Sequence, residues 1–124
     1  MIKGGVATIY VTDMDRAVKF YSEALGLRLL GQQGGHWACL DAGDGLVLGL
    51  HSVPADDPRV GQTGAITVGL SVSGAIESEV TTFLGRGVKF RGPVQVDGQA
   101  RVKMAFFTDP DGNPLYLCDA GKNW

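Results

Sequence analysis

Histidine and cysteine are both scarce in this chain, with two of each among 124 residues. There is no C-x-x-C pair, and Cys39 and Cys118 each stand inside an apolar run, where unpaired buried thiols are expected rather than a disulfide. Charge of one sign is missing as well. The 11 basic and 13 acidic residues are scattered and leave a net charge of −2. Without a cationic stripe for phosphates, nucleic acid is not an expected partner, and anionic membrane surfaces are disfavoured in the same way. No apolar run approaches the roughly 20 residues that span a bilayer, and the opening M-I-K-G-G lacks the apolar core of a signal peptide, so the cytoplasm is the expected compartment. Neither a G-x-x-x-x-G-K-[ST] phosphate loop nor a G-x-S-x-G elbow occurs. Gly69-Leu70-Ser71-Val72-Ser73 comes near the elbow but lacks its second glycine.

What the chain does contain is a repeat. Asp41 to Leu50 reads D-A-G-D-G-L-V-L-G-L and Asp109 to Cys118 reads D-P-D-G-N-P-L-Y-L-C, each an Asp-Gly turn followed by an apolar strand. Asp44 and Asp111, like Leu50 and Leu117, lie 67 positions apart. Upstream, Val6 to Val11 matches Thr67 to Val72 at an offset of 61, with a slip of one residue over the intervening helices. One supersecondary unit used twice predicts a pseudo-twofold arrangement, with the seam between the copies as the first place to seek a site. The length suits one domain built of two small modules.

Periodicity orders the elements. Val6 to Val11 alternates as a strand, and Asp13 then starts a helix in which Met14, Ala17, Val18, Tyr21 and Leu25 recur at helical spacing until Gly26. A strand over 27–31, a turn over 32–35 and a hairpin of 36–40 with 46–51 complete β-α-β-β-β. Ser52 to Gly64, rich in Pro, Asp and Gly, reads as a linker. The second module repeats the order with a strand at 66–72, a helix at about 75–85, a strand at 88–91, a loop over 92–98 and a hairpin from about 100 to 118. Residues 120–124 are expected to be irregular, with Trp124 able to fold back over apolar surface. The expected organisation is module 1 over about 1–52, linker 53–64 and module 2 over about 65–120. Ala7, Ile9 and Val11, like Val68, Leu70 and Val72, should face the helices, leaving the smaller or more polar alternate set on the opposite face.

Tyr10-Val11-Thr12-Asp13, Phe20-Tyr21, Leu25-Gly26-Leu27 and Phe107-Thr108-Asp109-Pro110-Asp111-Gly112-Asn113 together resemble the vicinal oxygen chelate superfamily, which includes glyoxalase I, extradiol dioxygenases, fosfomycin-resistance enzymes and bleomycin-binding resistance proteins. The resemblance covers nearly the whole chain. It implies an α+β fold of two paired βαβββ modules forming a curved, cup-shaped mixed sheet with helices outside, often completed in a homodimer. It also implies, for the enzymes of the superfamily, a divalent metal held by His or Glu at positions that fall here on Val6, Gly49, Thr67 and Tyr116. None of these is a usual ligand, so the usual metal site is not expected, and no cofactor is implied.

The remaining candidates follow from strand phase. Val6, Thr8, Tyr10, Gly49, Thr67 and Tyr116 are expected to line the cup, with Phe107 and Lys103 joining them from the last hairpin. Pairing Leu40 with Val47 would set His36 beside His51, a pair that could hold a metal only with further ligands; His51 could also serve as a general base, and both could simply be solvated. Trp37 falls on the opposite phase and reads as core, as do Phe20 and Tyr21. Asp109, Asp111 and Asn113 lack the acidic twelfth position of a calcium loop and are explained by turn geometry. Three functional classes follow: metal-independent binding of a small aromatic or amphipathic molecule, as in bleomycin resistance; a lyase, isomerase or dioxygenase-type enzyme with a displaced metal or a histidine base; or a stable dimeric fold with no small ligand, serving as an accessory protein.

Overall fold

The computed structural model describes residues 1, 4–63, 66–97 and 102–119. The expected irregular tail with Trp124 lies outside the described residues. The chain divides into two compact units, residues 1–62 with 110–113, and residues 63–109 with 114–124.

In the first unit, strand β1 (Val6–Val11) leads into helix α1 (Met14–Lys19), followed by β2 (Arg28–Gln33), β3 (Trp37–Asp41) and β4 (Val47–Ser52). Asp13 caps α1 by accepting the Arg16 backbone N–H at 3.0 Å, which satisfies one of the donors a helix start leaves open. The helix expected to run to Leu25 changes pitch. Residues Phe20–Ala24 form a π-helical turn in which the Leu25 N–H donates to the Phe20 carbonyl at 3.0 Å. Gly26, at φ 79°, then ends it as its missing Cβ permits.

The sheet order is β1-β4-β3-β2, with β1 parallel to β4 and the other pairs antiparallel. One face carries Ile9, Val11, Ala38, Leu40, Leu48 and Leu50, all buried beneath Met14, Ala17 and Tyr21. Each fully buried leucine there contributes about 1.5–3 kcal/mol relative to an exposed one. The register corrects an expectation. Leu40 pairs with Leu48 rather than Val47, and His51 pairs with Trp37 rather than His36. Leu40 and Leu48 are both apolar enough to be buried, and burying both is possible only in this register.

In the second unit, β5 (Val68–Ser71), α2 (Ile76–Gly85), β6 (Lys89–Phe90), β7 (Gln95–Asp97), β8 (Val102–Thr108) and β9 (Pro114–Asp119) follow in order. Their sheet runs β5-β9-β8-β6, with β7 also paired to β8. The short strand β7 lies where a loop was expected over 92–98, because Gln95 and Val96 pair with Met104 and Lys103. Ala105, Phe107, Leu115 and Leu117 are buried on the face shared with Ile76 and Phe83 of the α2 side. The fold is therefore α+β, with two βαβββ modules, the second carrying one additional strand.

The Asp-Pro-Asp-Gly-Asn tip does more than turn the chain. Within the first unit, Asp111 accepts hydrogen bonds from the Thr12 N–H at 2.9 Å and the Thr12 hydroxyl, and it pairs with Arg16 at 2.9 Å. Buried Asn113 accepts from the Gly61 N–H and donates to the Tyr10 carbonyl, each at 2.8 Å. A Cβ on Gly61 would lie 2.8 Å from the Asp111 carbonyl oxygen, and its φ of 71° favours glycine as well. The tip thus fixes the end of β1 and the segment that carries Arg59.

Candidate functional site

Parallel and antiparallel pairing place directly opposed residues on one face of a sheet. In the first unit this brings together Val6, Thr8 and Tyr10 from β1 with Val47, Gly49 and His51 from β4, and Cys39 and Trp37 from β3. Five of the sequence-predicted residues, Val6, Thr8, Tyr10, Gly49 and His51, therefore share a face. His36 does not join them. It is exposed in the turn before β3, where its carbonyl accepts the Ser52 N–H at 3.0 Å.

Trp37 is the residue that strand phase misassigned. Its partner is His51, so it stands on the polar face and not in the core. Its ring lies across Gly49: a Cβ there would overlap the indole, with Cζ2 only 2.9 Å away and the Val6 Cγ2 at 3.0 Å. Glycine is required because the ring approaches the backbone itself. The clue in the sequence was the hairpin register, which decides the phase of every residue on β3.

His51 sits between two rings. Tyr10 meets it edge-on with centroids 5.7 Å apart, and Trp37 with centroids 6.3 Å apart. One face of Tyr10 is already covered, since the Arg59 guanidinium lies 4.2 Å from its ring centroid. A cation over a phenol ring is attracted by the ring's quadrupole. Arg59 is held there by two hydrogen bonds to Asp57, at 2.8 and 3.0 Å. Those bonds from Arg59 draw the Asp57 carboxyl down to about 2, and the pairing with Asp57 raises the guanidinium in turn.

Beside Trp37 lies an open cavity of about 520 Å³. Residues 30–33 of β2 line one side, and Trp37, Cys39 and Val47 the rest. Its volume is within the range of small-molecule clefts. Cys39 is half-buried in this wall and unpaired; Cys118 in the second unit is also free, and burial pushes its thiol up, with the neighbouring Asp119 charge adding to the effect.

In the second unit, Tyr116 covers Gly69 as Trp37 covers Gly49. A Cβ on Gly69 would overlap the phenol ring, with its hydroxyl at 2.6 Å. The ring leans on Phe106 at 5.4 Å. Thr67 is exposed, one residue before β5. Two expected lining residues point elsewhere. Phe107 is fully buried on the helix side, against Phe90 at 5.5 Å. Lys103, on the same phase, pairs with Glu77 of α2 at 2.8 Å, which raises its ammonium and lowers the Glu77 carboxyl. The strand phase of β8 is one residue from that expected, so Met104 and Phe106 occupy the Tyr116 face.

The donor set at the positions where metal enzymes of the resemblance carry ligands does not fit a divalent ion. Val6 offers no donor atom, Gly49 has no side chain and its space is filled by indole, Thr67 and Tyr116 would serve only unusually. Among the described residues no three His, Cys, Asp or Glu side chains converge.

Two successive βαβββ modules, each with its helix on one sheet face, define the paired-module class of α+β domains. The chain belongs to the glyoxalase/bleomycin resistance protein/dioxygenase superfamily, whose family model matches residues 5–117. Solved structures agree on the fold. Lactoylglutathione lyase from Agrobacterium tumefaciens is 19% identical at a TM-score of 0.76, covering 100% of this chain and 97% of that one. A superfamily member from Sphaerobacter thermophilus is 23% identical at 0.75, covering 96% and 98%. A glyoxalase family protein from Enterococcus faecalis is 25% identical at 0.69, covering 96% and 97%. No curated protein matches the chain. Members of the superfamily bind small molecules, and no helix among the described residues is long and apolar enough to cross a membrane.

Proposed function

We propose that this protein binds a small aromatic or amphipathic organic molecule without a metal, in the manner of the bleomycin-resistance members, where sequestering the ligand is the whole mechanism. The observation that carries this reading is Trp37 lying over Gly49 beside the 520 Å³ cavity. The ring takes the space a ligand side chain would need and turns it into stacking surface, which suits organic ligands. Tyr10 and His51 border the same face, and Val6, Thr8 and Gly49 leave room; Thr67 and Tyr116 serve the equivalent face of the second unit. The working form on this reading is a cytoplasmic homodimer.

A second reading rests on His51, which is exposed between Tyr10 and Trp37. An imidazole so placed could take a proton from a bound molecule, as a lyase or isomerase requires. A thermal-shift screen of chelator-treated protein against aromatic compounds tests the first reading, because a ligand at 100 times its Kd stabilises by about 2.7 kcal/mol. Stabilisation by compounds that are recovered unchanged supports it. Stoichiometric nickel, zinc, iron or manganese, lost in a His36→Ala/His51→Ala variant, would overturn it in favour of a metal enzyme.

A further inference from the structure

The face around the cavity is unusual in what its charges do. Arg28 and Asp41 at one end of it are joined at 2.9 Å, and Arg59 and Asp57 at the other at 2.8 Å. The cavity wall itself, among the described residues, holds no carboxylate, ammonium or guanidinium. What it offers instead is an indole face, the aliphatic side chains of Leu30 and Val47, and the carboxamide of Gln33. Gln32 opposes Ala38 and so stands on the other phase of β2, its amide nitrogen donating to the Gly34 carbonyl at 3.1 Å. Gln33 stands opposite Trp37 in the β2 to β3 pairing, so a carboxamide borders the ring. It supplies both a donor and an acceptor.

We infer that the cavity selects uncharged, flat ligands whose edge carries both a hydrogen-bond donor and an acceptor, and rejects their carboxylate and ammonium counterparts. This rests on the binding reading above and adds the ligand's charge to it. An ion leaving water for this wall would lose hydration and meet no opposite charge, since both nearby cations already hold an acid and both acids a base. A neutral amide or lactam edge loses less and regains its hydrogen bonds from the Gln33 carboxamide, which both donates and accepts. The aromatic body stacks on Trp37, which gives area without demanding charge.

The test uses three probes that share one ring system: 2-naphthamide, 2-naphthoate and 2-naphthylmethylammonium. The chain has two tryptophans, so a Trp124→Phe variant leaves the Trp37 indole N–H as a single nuclear magnetic resonance signal to follow. The expected result is a saturable shift of that signal with 2-naphthamide, and Kd values at least tenfold higher for both ions, which corresponds to about 1.4 kcal/mol. Gln33→Arg, a change on an exposed edge strand, should bring 2-naphthoate to within threefold of the amide while leaving the ammonium probe weak. If either ion moves the signal as readily as the amide in the Trp124→Phe protein, the charge selection is wrong and the binding reading stands. If none of the three moves it, the cavity is not a site for flat ligands, and the binding reading falls with the inference.

Discussion

In the first unit the ring over a strand glycine comes diagonally across an antiparallel hairpin, Trp37 on β3 lying on Gly49 of β4, whereas in the second it comes from the directly opposed residue of a parallel strand, Tyr116 on β9 lying on Gly69 of β5. The duplicated positions carry opposite choices: Thr8 beside Gly49 in one unit, Gly69 beside Tyr116 in the other. Each pair contains one glycine, and each glycine is roofed by an aromatic ring. Glycine weakens a strand because it adds no side chain to pack, and a ring laid on its backbone recovers the lost area. The difference lies in what is left beside the ring. Tyr116 leans on Phe106, whereas Trp37 forms a wall of an open cavity. The two units thus share a ring-covered strand glycine at different positions and differ in what the ring presents.

The largest expected effect separates the two faces of the second sheet. Phe107→Ala should cost about 3–5 kcal/mol in urea unfolding, as truncation of a fully buried aromatic does, while Phe106→Ala should cost less than half as much. Equal losses would mean that the phase of β8 is not as described. Asn113→Ala comes next, at about 2–4 kcal/mol, because the Gly61 N–H and the Tyr10 carbonyl each lose a partner. A loss confined to a few tenths of a kcal/mol would leave the tip as a simple turn.

The glycine roofs can be compared directly. Gly49→Leu should destabilise by about 1–3 kcal/mol through overpacking against the indole. Adding Trp37→Ala should return about 1 kcal/mol or more of that loss in a double-mutant cycle. Strict additivity would show that the ring is not what excludes the side chain. The same cycle with Gly69 and Tyr116 should give a smaller recovery, since the Phe106 contact is lost together with the phenol.

The smallest effect concerns acid. The folded Asp57 carboxyl lies below its ordinary 3.8, at about 2, because it accepts hydrogen bonds from Arg59. A depressed carboxyl contributes stability above its ordinary value and loses it as pH falls through the folded value. The contribution of this exposed pair is small. Stability should therefore be indifferent to Asp57 between pH 5 and 8 and decline as pH falls from about 3.8 toward about 2, and Arg59→Ala should move the carboxyl titration, followed by its carbon resonance, only part of the way back toward 3.8, because the N–H of residue 59 still donates to it.

Much of this architecture could be read from residue patterns, and the failures that bear on the site share one cause. Val6 to Val11, the Asp13 cap, Gly26 and the two Asp-Gly turns carry local signals that the fold respects. Register across a hairpin is not local. Whether Leu40 meets Val47 or Leu48 cannot be settled from either strand alone, since both are apolar, and a slip of one turns Trp37 from core to cavity wall and removes His36 from the site. The phase of β8 failed in the same way, because Phe106 and Phe107 are adjacent and equally apolar. The roles of Asp111 and Asn113 depend on partners at least 52 residues away, which turn propensity does not reveal.

The central claim is that Trp37 over Gly49 makes an organic binding surface that works without a metal. Its most direct test is a titration of chelator-treated Trp124→Phe protein with 2-naphthamide, following the Trp37 indole N–H. A saturable shift of the same size and midpoint before and after adding nickel or zinc is the predicted result, whereas a shift that occurs only once the metal is restored would contradict it.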